Sequence, residues 1–407
     1  MNMNNLSDER DYLATKRKSL LTETDINNHL QKIKERYQGK KLLVIGGAGS
    51  IGSSFIYEIV KFFPDSIHII DPNENGLTNL VRNLRSKDNK TSQIKLLTSP
   101  LDFGSKISDQ FIIENGPYDD VFNFAAIKHV RSEKDIYSLM QMFDTNVIKH
   151  SNLLNLLEVN NLTKSYFSVS TDKAANPVSL MGASKKIMEL ILQCKHFEFE
   201  NKIKTSTTRF ANVAFSNGSL LQSFSIRFEK REPIPAPLEI KRFFVSHKEA
   251  AQICILASCN LSDGNILVPK INDSFKLYPI IDVAKNFIES KGLNPVLVES
   301  KEDGFKIINE NNEDYPVVTT KPDTSGEKEF EEFVGLGEEV LDSNFVNFNV
   351  VKYSDFNKKE LITFVNNFNL LLQGDVSISK TDLINNVKNI VKNLNHIETG
   401  ENLDSRM

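Results

Sequence analysis

The sequence predicts an α/β fold built on a doubly wound parallel sheet. Two observations lead to this prediction: apolar strand-like runs alternate with amphipathic segments from Lys41 onward, and a glycine-rich segment follows the first run. The runs that we expect to form strands are Leu42–Ile45, Ile67–Ile70, Ile94–Leu97, Val121–Phe124 and Tyr166–Val169. This alternation is typical of a parallel sheet with helices on both faces.

The glycine-rich segment Gly46–Gly52 lies between the first strand and the amphipathic run Ser53–Phe62. Glycine lets the backbone turn tightly and approach a pyrophosphate, whose charge then lies at a helix N-terminus. Asp71 ends the second strand, where a carboxylate can accept hydrogen bonds from ribose hydroxyls and repel a 2′-phosphate. The segment therefore predicts a Rossmann-type site for NAD rather than NADP.

Residues after the first, third and fourth strands are further candidates for contacts with this cofactor. Asp102 could meet the adenine, although an Asp at a strand end is more often a helix cap. Lys128 follows the turn at Ala125 and Ala126 that should pass under the cofactor. The cofactor contacts expected from these positions are Gly46, Gly49, Ser50, Ile51, Gly52, Asp71, Asp102, Ala125, Ala126 and Lys128.

The 407-residue chain is long enough for a large core and a smaller one. A segment rich in Asn, Ser and Pro at about 211–242 suggests an insertion on the substrate side. In the N-terminal part, apolar residues recur at roughly helical spacing, and near the C-terminus Leu383–Leu394 is a helix candidate. We expect a helical extension over 1–40, an NAD-binding domain over 41–260, the remainder of a substrate-binding subdomain over 261–335, and a C-terminal extension over 336–407.

Charge and cysteine usage exclude several classes of protein. The 49 basic and 53 acidic residues are mixed along the chain, and the formal net charge is −4, so a nucleic-acid binder is not expected. Cys194, Cys254 and Cys259 lack metal-ligand spacing and are expected to be free thiols in a reducing compartment. No apolar stretch resembles a signal peptide or a bilayer span. We therefore expect a cytoplasmic protein without a metal or membrane insertion.

Several motifs together resemble one family. They are Val121–Val130, Thr145–Val147, Ser170–Pro177, Met181–Lys185, Thr208–Val213, Lys241–Ser246 and Ser325–Lys328. The set is similar to the extended short-chain dehydrogenase/reductase superfamily, and within it to the polysaccharide-biosynthesis branch that contains the UDP-N-acetylglucosamine 4,6-dehydratases. The resemblance covers roughly residues 41–335. It implies bound NAD, with Asn146 and Lys185 as further contacts, and a homo-oligomer that pairs through helices at Asp135–Leu157 and Met181–His196.

The resemblance places the chemistry at Thr171, Asp172 and Lys173, together with Met181 and Lys185. Met181 and Lys185 are four residues apart on a predicted helix and share one face. Most of the superfamily has a Tyr acid/base where this chain has Met181, and a thioether cannot exchange a proton. Which group accepts the proton of the C4 hydroxyl therefore stays open. His129 is expected to be structural.

Polar groups further along the chain could bind an anionic nucleotide-sugar. Arg209 and Arg242 can pair with a diphosphate, Asn212 can hydrogen-bond it, and Lys128 could reach it. The alternative for each is ordinary surface charge. For Asp172 and Lys173 the alternative is a surface ion pair or a helix cap, and for Thr171 a buried Thr bonded to backbone.

The reaction that the resemblance implies is dehydration of a UDP-N-acetylhexosamine, foremost UDP-N-acetylglucosamine, to a 4-keto-6-deoxy sugar. Hydride leaves C4, a base removes the acidified C5 proton, an acid assists departure of the C6 hydroxyl, and hydride returns to C6. We expect neutral Lys173 to be the C5 base and protonated Asp172 the C6 acid. The alternatives are a nucleotide-sugar epimerase and a non-catalytic NAD-binding protein. Met181 is the one hint of the non-catalytic alternative.

Overall fold

The structure is a computed structural model. It describes residues 9–87, 93–128, 133, 135–198, 203–310, 313–320, 331–353, 355–374 and 378–396. Its helices are α1 (Glu9–Thr15), α2 (Glu23–Tyr37), α3 (Ser50–Ile59), α4 (Glu74–Lys87), α5 (Lys106–Asn115), α6 (Ile136–Phe143), α7 (Lys149–Val159), α8 (Leu180–Glu198), α9 (Leu220–Glu229), α10 (His247–Asn260), α11 (Ile280–Glu289), α12 (Lys301–Glu310), α13 (Lys358–Leu372) and α14 (Lys380–Ile390).

The strands alternate with these helices through most of the chain. They are β1 (Lys41–Ile45), β2 (Ser66–Ile70), β3 (Lys95–Ser99), β4 (Asp120–Asn123), β5 (Ser165–Val169), β6 (Lys204–Thr208), β7 (Asn212–Val213), β8 (Ile234–Pro237), β9 (Lys241–Arg242), β10 (Phe244–Val245), β11 (Asn265–Pro269), β12 (Tyr278–Pro279), β13 (Asn294–Val298), β14 (Asp314–Thr320), β15 (Glu338–Leu341) and β16 (Phe348–Tyr353). Short 3-10 helices lie at Val60–Phe62 and Asp172–Ala174, and a π-helix lies at Asp144–Ile148.

The main sheet has nine strands in the order β15-β16-β11-β6-β5-β4-β1-β2-β3. The strands from β3 to β11 in this order are parallel, and β16 and β15 add an antiparallel edge. The central strand β1 is almost entirely buried, as its run of apolar residues predicts. The doubly wound fold is therefore confirmed. Its strand order reverses between β1 and β4, where such sheets form a ligand crevice at their carboxyl ends.

A second, smaller core lies beside the main sheet. The parallel sheet β13-β14-β8 packs with α9 and α11 around a cluster that includes Phe224, Ile234, Ile280, Phe287 and Val317. The predicted smaller subdomain is therefore present. Strands β11, β15 and β16 belong to the main sheet, and the domain boundaries at 260 and 335 stay a prediction.

The N-terminal extension packs onto both cores, as expected. Helix α2 buries Ile26, Ile33 and Tyr37 in the main core. Arg17 lies between α1 and α2, and its guanidinium forms a buried ion pair with Glu249, 2.6 Å from the carboxylate. The extension is thus an integral part of the folded body.

The C-terminal extension covers helices that were expected to pair with a second subunit. Helix α14 confirms the predicted helix, whereas α13 was not predicted. From α13, the rings of Phe364 and Phe368 lie 6.2 Å and 5.6 Å from the ring of Phe143 at the end of α6. Both α13 and α14 also contact α8. This part of the expected subunit interface is therefore covered by the chain itself, and the oligomeric state stays a prediction.

Across the ranges given above, no helix has the length and apolar character that a bilayer span requires. Over those same ranges, no group of three or more His, Cys, Asp or Glu side chains is arranged to hold a metal ion.

The docking of α13 yields a stability prediction. Phe368→Ala should lower the free energy of unfolding by about 3 kcal/mol, because it leaves a cavity against Phe143. Leu370→Ala on the same helix is the control, since Leu370 is 52% exposed, and should cost less than about 0.5 kcal/mol. Chemical denaturation measures both values. Equal effects of the two substitutions would show that α13 does not dock in this way.

Candidate functional site

The turn between β1 and α3 has the shape that a pyrophosphate requires. Gly46 has a positive φ of 75°, and its N–H donates to the Ile70 carbonyl at 2.8 Å. A Cβ on Gly46 would lie 2.6 Å from the backbone nitrogen of Ala125, and one on Gly52 would lie 2.2 Å from the Gly46 carbonyl oxygen. Gly49 caps α3 without a side-chain hydrogen bond, so the first amides of the helix keep their donor capacity.

The remaining predicted turn residues, Ser50 and Ile51, lie in the first turn of α3. The Ser50 hydroxyl oxygen accepts a hydrogen bond from the Asn217 N–H at 3.0 Å. The carboxylate of Asp71, just past β2, accepts from the backbone N–H groups of Ala48 and Asn73 at 3.0 and 2.9 Å. Each carboxylate oxygen can accept a further bond, so Asp71 fixes the turn and keeps capacity for a ribose hydroxyl.

Asp102 lies beyond β3 in an exposed ion pair with Lys149, at 2.7 Å, so its expected contact with an adenine stays a prediction. The backbone at Phe124 and Ala125 passes beside Gly46, and the contact of Ala125 and Ala126 with a cofactor stays a prediction. The Ala125 N–H donates to the side chain of Asn123 at 3.0 Å, which anchors this turn to the end of β4.

The assignment of Asn146 as a cofactor contact is corrected by the structure. Its side chain is 2% exposed and lies in the π-helix. Its oxygen accepts from the Ile127 N–H, and its NH₂ donates to the Ile127 carbonyl and the Ser184 hydroxyl, all at 2.9 Å. Asn146 therefore joins the turn after β4 to α8 and has no path to a ligand.

Thr171, Asp172 and Lys173 leave the carboxyl end of β5 in a single 3-10 turn. The Thr171 hydroxyl donates to the Asp172 carboxylate at 2.8 Å and accepts from the Lys173 N–H at 3.5 Å. The Lys173 ammonium lies 3.4 Å from both carboxylate oxygens of Asp172. The three predicted site residues therefore lie together in one turn. The same turn contains the helix cap and the ion pair that were the alternative interpretation.

The charge state of Lys173 differs from the expected neutral amine. Loss of solvent around its ammonium lowers its pKa, but the Asp172 and Glu331 carboxylates outweigh that effect and raise the pKa above its usual range. Lys173 is therefore cationic in this arrangement. The carboxylate of Asp172, whose side chain is 4% exposed, lies 3.4 Å from this ammonium.

Met181 and Lys185 lie one turn apart on α8, as predicted. The Met181 N–H donates to the Glu133 carboxylate at 2.9 Å, a contact that the sequence did not suggest. The Lys185 ammonium is buried 3.1 Å from the Met188 sulfur. Burial lowers the pKa of Lys185 to about 8, so this amine loses its proton more readily than a surface lysine.

Arg209 does not bind substrate, contrary to the prediction. Its side chain is fully buried, and its guanidinium forms bidentate ion pairs with both Glu189 and Glu338 at 2.7–2.8 Å. It also donates to the Phe333 carbonyl at 2.9 Å and to the Tyr353 hydroxyl at 2.8 Å. These contacts occupy all of its donor directions within the protein.

Arg242 and Asn212 do lie at the edge of the site. The Asn212 NH₂ donates to the Glu331 carboxylate, and the Arg242 Nε lies 3.6 Å from the same carboxylate. The Arg242 side chain is 12% exposed, so its guanidinium is not sealed from solvent as that of Arg209 is. Lys128 donates to the Asn217 carbonyl at 2.9 Å. Loss of solvent and the charge of Lys173 both lower the pKa of Lys128, which brings these two lysines into one electrostatic environment.

Glu331 is a residue of this site that sequence reasoning missed. It is 7% exposed and lies in a stretch with several other acidic residues, and no spacing distinguishes it from them. The Ser325–Lys328 motif just before it, and His129 and Val130 of the motif after β4, lie outside the described residues.

Comparison with known proteins identifies relatives over most of the chain. The profile of the polysaccharide biosynthesis protein family matches residues 42–352. The uncharacterized membrane protein MJ1061 of Methanocaldococcus jannaschii is 32% identical over 274 residues, 67% of this chain and 78% of that protein. The probable polysaccharide biosynthesis protein EpsC of Bacillus subtilis is 26% identical over 365 residues, 89% of this chain. The matches span 56% of EpsC and 44% of the capsular protein CapD of Staphylococcus aureus.

A relative with a stated activity is more distant. The inverting UDP-N-acetylglucosamine 4,6-dehydratase of Campylobacter jejuni is 25% identical over 252 residues, 58% of this chain and 68% of that enzyme. Among solved structures, Pen from Bacillus thuringiensis aligns with a TM-score of 0.62 at 19% identity, covering 79% of this chain and 89% of Pen. The enzyme WbmH of Bordetella bronchiseptica in complex with NAD⁺ aligns with a TM-score of 0.50 at 17% identity, covering 69% and 86%. These structures share the fold.

The burial of Arg209 predicts a loss of stability when it is replaced. Arg209→Ala should lower the free energy of unfolding by about 3–5 kcal/mol, because the buried carboxylates of Glu189 and Glu338 lose their guanidinium partner, although Glu338 retains the Lys186 ammonium at 3.7 Å. Arg227→Ala is the control, since its ion pair with Glu232 is partly exposed, and should cost less than about 1 kcal/mol. Both values come from denaturant titration. An Arg209→Ala protein of normal stability would contradict the structural role.

Proposed function

The chain belongs to the polysaccharide biosynthesis protein family, and from that premise we propose that it is an NAD-dependent nucleotide-sugar 4,6-dehydratase. The proposed substrate is a UDP-N-acetylhexosamine, foremost UDP-N-acetylglucosamine, and the product is a 4-keto-6-deoxy sugar for surface polysaccharide or glycan biosynthesis. The observation that carries the proposal is the single turn of Thr171, Asp172 and Lys173 at the crevice edge of the sheet. The named activity of the Campylobacter relative supports it.

The β1–α3 turn supports NAD as the cofactor. At Gly46 and Gly52 the backbone packs too closely for any Cβ, which keeps the turn tight, and the amides at the start of α3 are suited to a pyrophosphate. Asp71 would accept from the adenosine ribose and disfavour a 2′-phosphate. A fold neighbour, WbmH, has been solved with NAD⁺. When bound, NAD supplies a hydride acceptor for C4 and a hydride donor for C6.

The residues at the carboxyl end of β5 would act on the sugar in a fixed order. Thr171 would orient the C4 oxygen, and Lys185 would hold the nicotinamide ribose. Loss of hydride from C4 and of the proton from its hydroxyl gives a ketone, which acidifies the C5 proton next to it. Removal of the C5 proton and protonation of the C6 hydroxyl then release water and leave a C5–C6 double bond. Addition of hydride at C6 and of a proton at C5 completes the 4-keto-6-deoxy sugar, and the C4 hydroxyl proton replaces the one that left with the water.

The ion pair of Asp172 and Lys173 can provide both the base and the acid. Lys173 holds the proton in the structure, and its ammonium is 3.4 Å from the Asp172 carboxylate. Transfer of that proton to Asp172 would leave a neutral amine to deprotonate C5 and a carboxylic acid to protonate the C6 hydroxyl. Exclusion of water by a bound sugar favours this neutral pair, because two charges are costly to desolvate.

The reaction itself provides the test of function. Purified protein incubated with UDP-N-acetylglucosamine should yield a product lighter by one water, detected by mass spectrometry, and denatured protein should release NAD. Both results follow if cofactor is regenerated in every turnover and stays bound. A sugar that changes configuration at C4 or C5 without loss of water would identify an epimerase and refute the dehydratase proposal.

Because Lys173 is proposed to deprotonate C5 and Asp172 to protonate the C6 hydroxyl, their variants should stop the reaction at different steps. Lys173→Met should permit hydride loss from C4, seen as reduced-nicotinamide absorbance, without solvent-deuterium exchange at C5. Asp172→Asn should exchange C5 with solvent deuterium but form no dehydrated product, because the ketone alone acidifies C5.

A matched pair of controls comes from an exposed ion pair of the same type. Asp303 and Lys306 lie 2.8 Å apart on α12, with side chains 54% and 67% exposed. Asp303→Asn and Lys306→Met should leave both the exchange and the dehydration rates unchanged. Exchange at C5 by Lys173→Met at the wild-type rate would show that Lys173 is not the base.

A further inference from the structure

Glu331 contacts two of the side chains predicted to hold the substrate diphosphate, Asn212 and Arg242. One carboxylate oxygen accepts from the Asn212 NH₂, and the other accepts from the Phe243 N–H at 2.9 Å. The Arg242 Nε lies 3.6 Å from the first oxygen. Since Glu331 is only 7% exposed, its carboxylate is held against Arg242 and Asn212 rather than in solvent.

The charges around Glu331 are balanced before any ligand binds. The described charged groups that act on it are Asp172 and Lys173 from the turn after β5 and Arg242 from β9. Two cations therefore face two carboxylates. A diphosphate adds roughly two negative charges in its diester form, and in a partly desolvated site such an excess is unfavourable. One of the carboxylates must lose its charge, or the phosphate binds weakly.

Glu331 is the carboxylate that a phosphate would displace from Arg242. Asp172 accepts from the Thr171 hydroxyl and pairs with Lys173, and a proton that passes from Lys173 to Asp172 leaves the total charge of that pair at zero. Glu331 instead competes with a phosphate for Arg242. A neutral carboxyl at Glu331 would still accept the hydrogen bond from Phe243 through its carbonyl oxygen, so the local backbone keeps its anchor.

We propose that Glu331 is a positioning residue that takes up a proton when the diphosphate of a nucleotide-sugar binds, and thereby releases Arg242 to the phosphate. This inference rests on the proposed function, because it takes Arg242 and Asn212 as the phosphate contacts. It goes beyond that function by coupling substrate binding to a proton held by a residue that does not touch the reacting carbons.

The titration of Glu331 supports the coupling. Burial, followed by the charge of Asp172, raises its pKa to about 7, although Lys173, the Phe243 N–H and Arg242 oppose the shift. Proton uptake near neutral pH therefore requires little free energy. Above pH 7 the free protein carries an ionised Glu331 that must be protonated on binding, so affinity should fall as the pH rises.

The test is calorimetric titration of the full chain with UDP in buffers of different ionisation enthalpy. Wild type should take up protons on binding above pH 7, and its Kd should rise about fivefold more than that of Glu331→Gln between pH 7 and 8. Because UDP ionises equally in the two titrations, the comparison of wild type with Glu331→Gln removes the contribution of UDP itself. Glu331→Asp, which can still be protonated, should restore proton uptake. Glu339→Gln, at an exposed ion pair with Lys352 in β16, should behave as wild type.

The outcomes separate this inference from the proposed function. Equal proton uptake by wild type and Glu331→Gln overturns the role of Glu331 and leaves the dehydratase proposal standing. Absence of UDP binding by folded wild type overturns the proposed substrate class, and with it this inference. If Glu331→Gln does not fold, the titrations of wild type and Glu331→Asp with UDP provide the test. Constant affinity and no proton uptake between pH 7 and 8 would overturn the proposal.

Discussion

The buried guanidinium of Arg209 is the interaction on which the site depends. A charge removed this completely from water is tolerated because it is paired and fully hydrogen-bonded. Glu189 lies on α8 and Glu338 on β15, so the Arg209 side chain joins α8 to the antiparallel edge of the sheet. The Tyr353 hydroxyl, which donates to Glu189 at 2.5 Å, closes the cluster from β16.

This cluster fixes two segments of the proposed site. The Ser170 hydroxyl donates to Glu189 at 2.6 Å, so the residue just before the Thr171 turn is tied to the same carboxylate as Arg209. The Phe333 carbonyl accepts from Arg209, and Phe333 lies two residues after Glu331. The turn of Thr171, Asp172 and Lys173, proposed to be catalytic, and the acidic group beside the proposed phosphate contacts are thus held in position by one guanidinium.

Local signals in the sequence were sufficient for the parts of the fold that depend on local backbone chemistry. The strands were predicted from apolar runs, and the glycine turn and Asp71 from their positions after the first two strands. The structure agrees at the glycine turn, where a Cβ cannot fit at Gly46 or Gly52. The roles of Arg209 and Asn146 did not follow, because a polar residue type does not reveal whether its partners are protein groups or ligand. Glu331 and α13 were missed for a related reason: their contacts, Arg242 and Phe143, are distant in the sequence.

The two arginines show how burial determines function within one chain. Arg209 and Arg242 have the same donor geometry, and each faces carboxylates. Arg209 is sealed between two of them and can only stabilise the fold, whereas Arg242 keeps partial exposure and a longer 3.6 Å separation from Glu331. An ion pair of that length in a partly open site can exchange one anion for another at modest cost. A phosphate that displaces Glu331 would therefore change the protonation of the site without disturbing the cluster that holds it together.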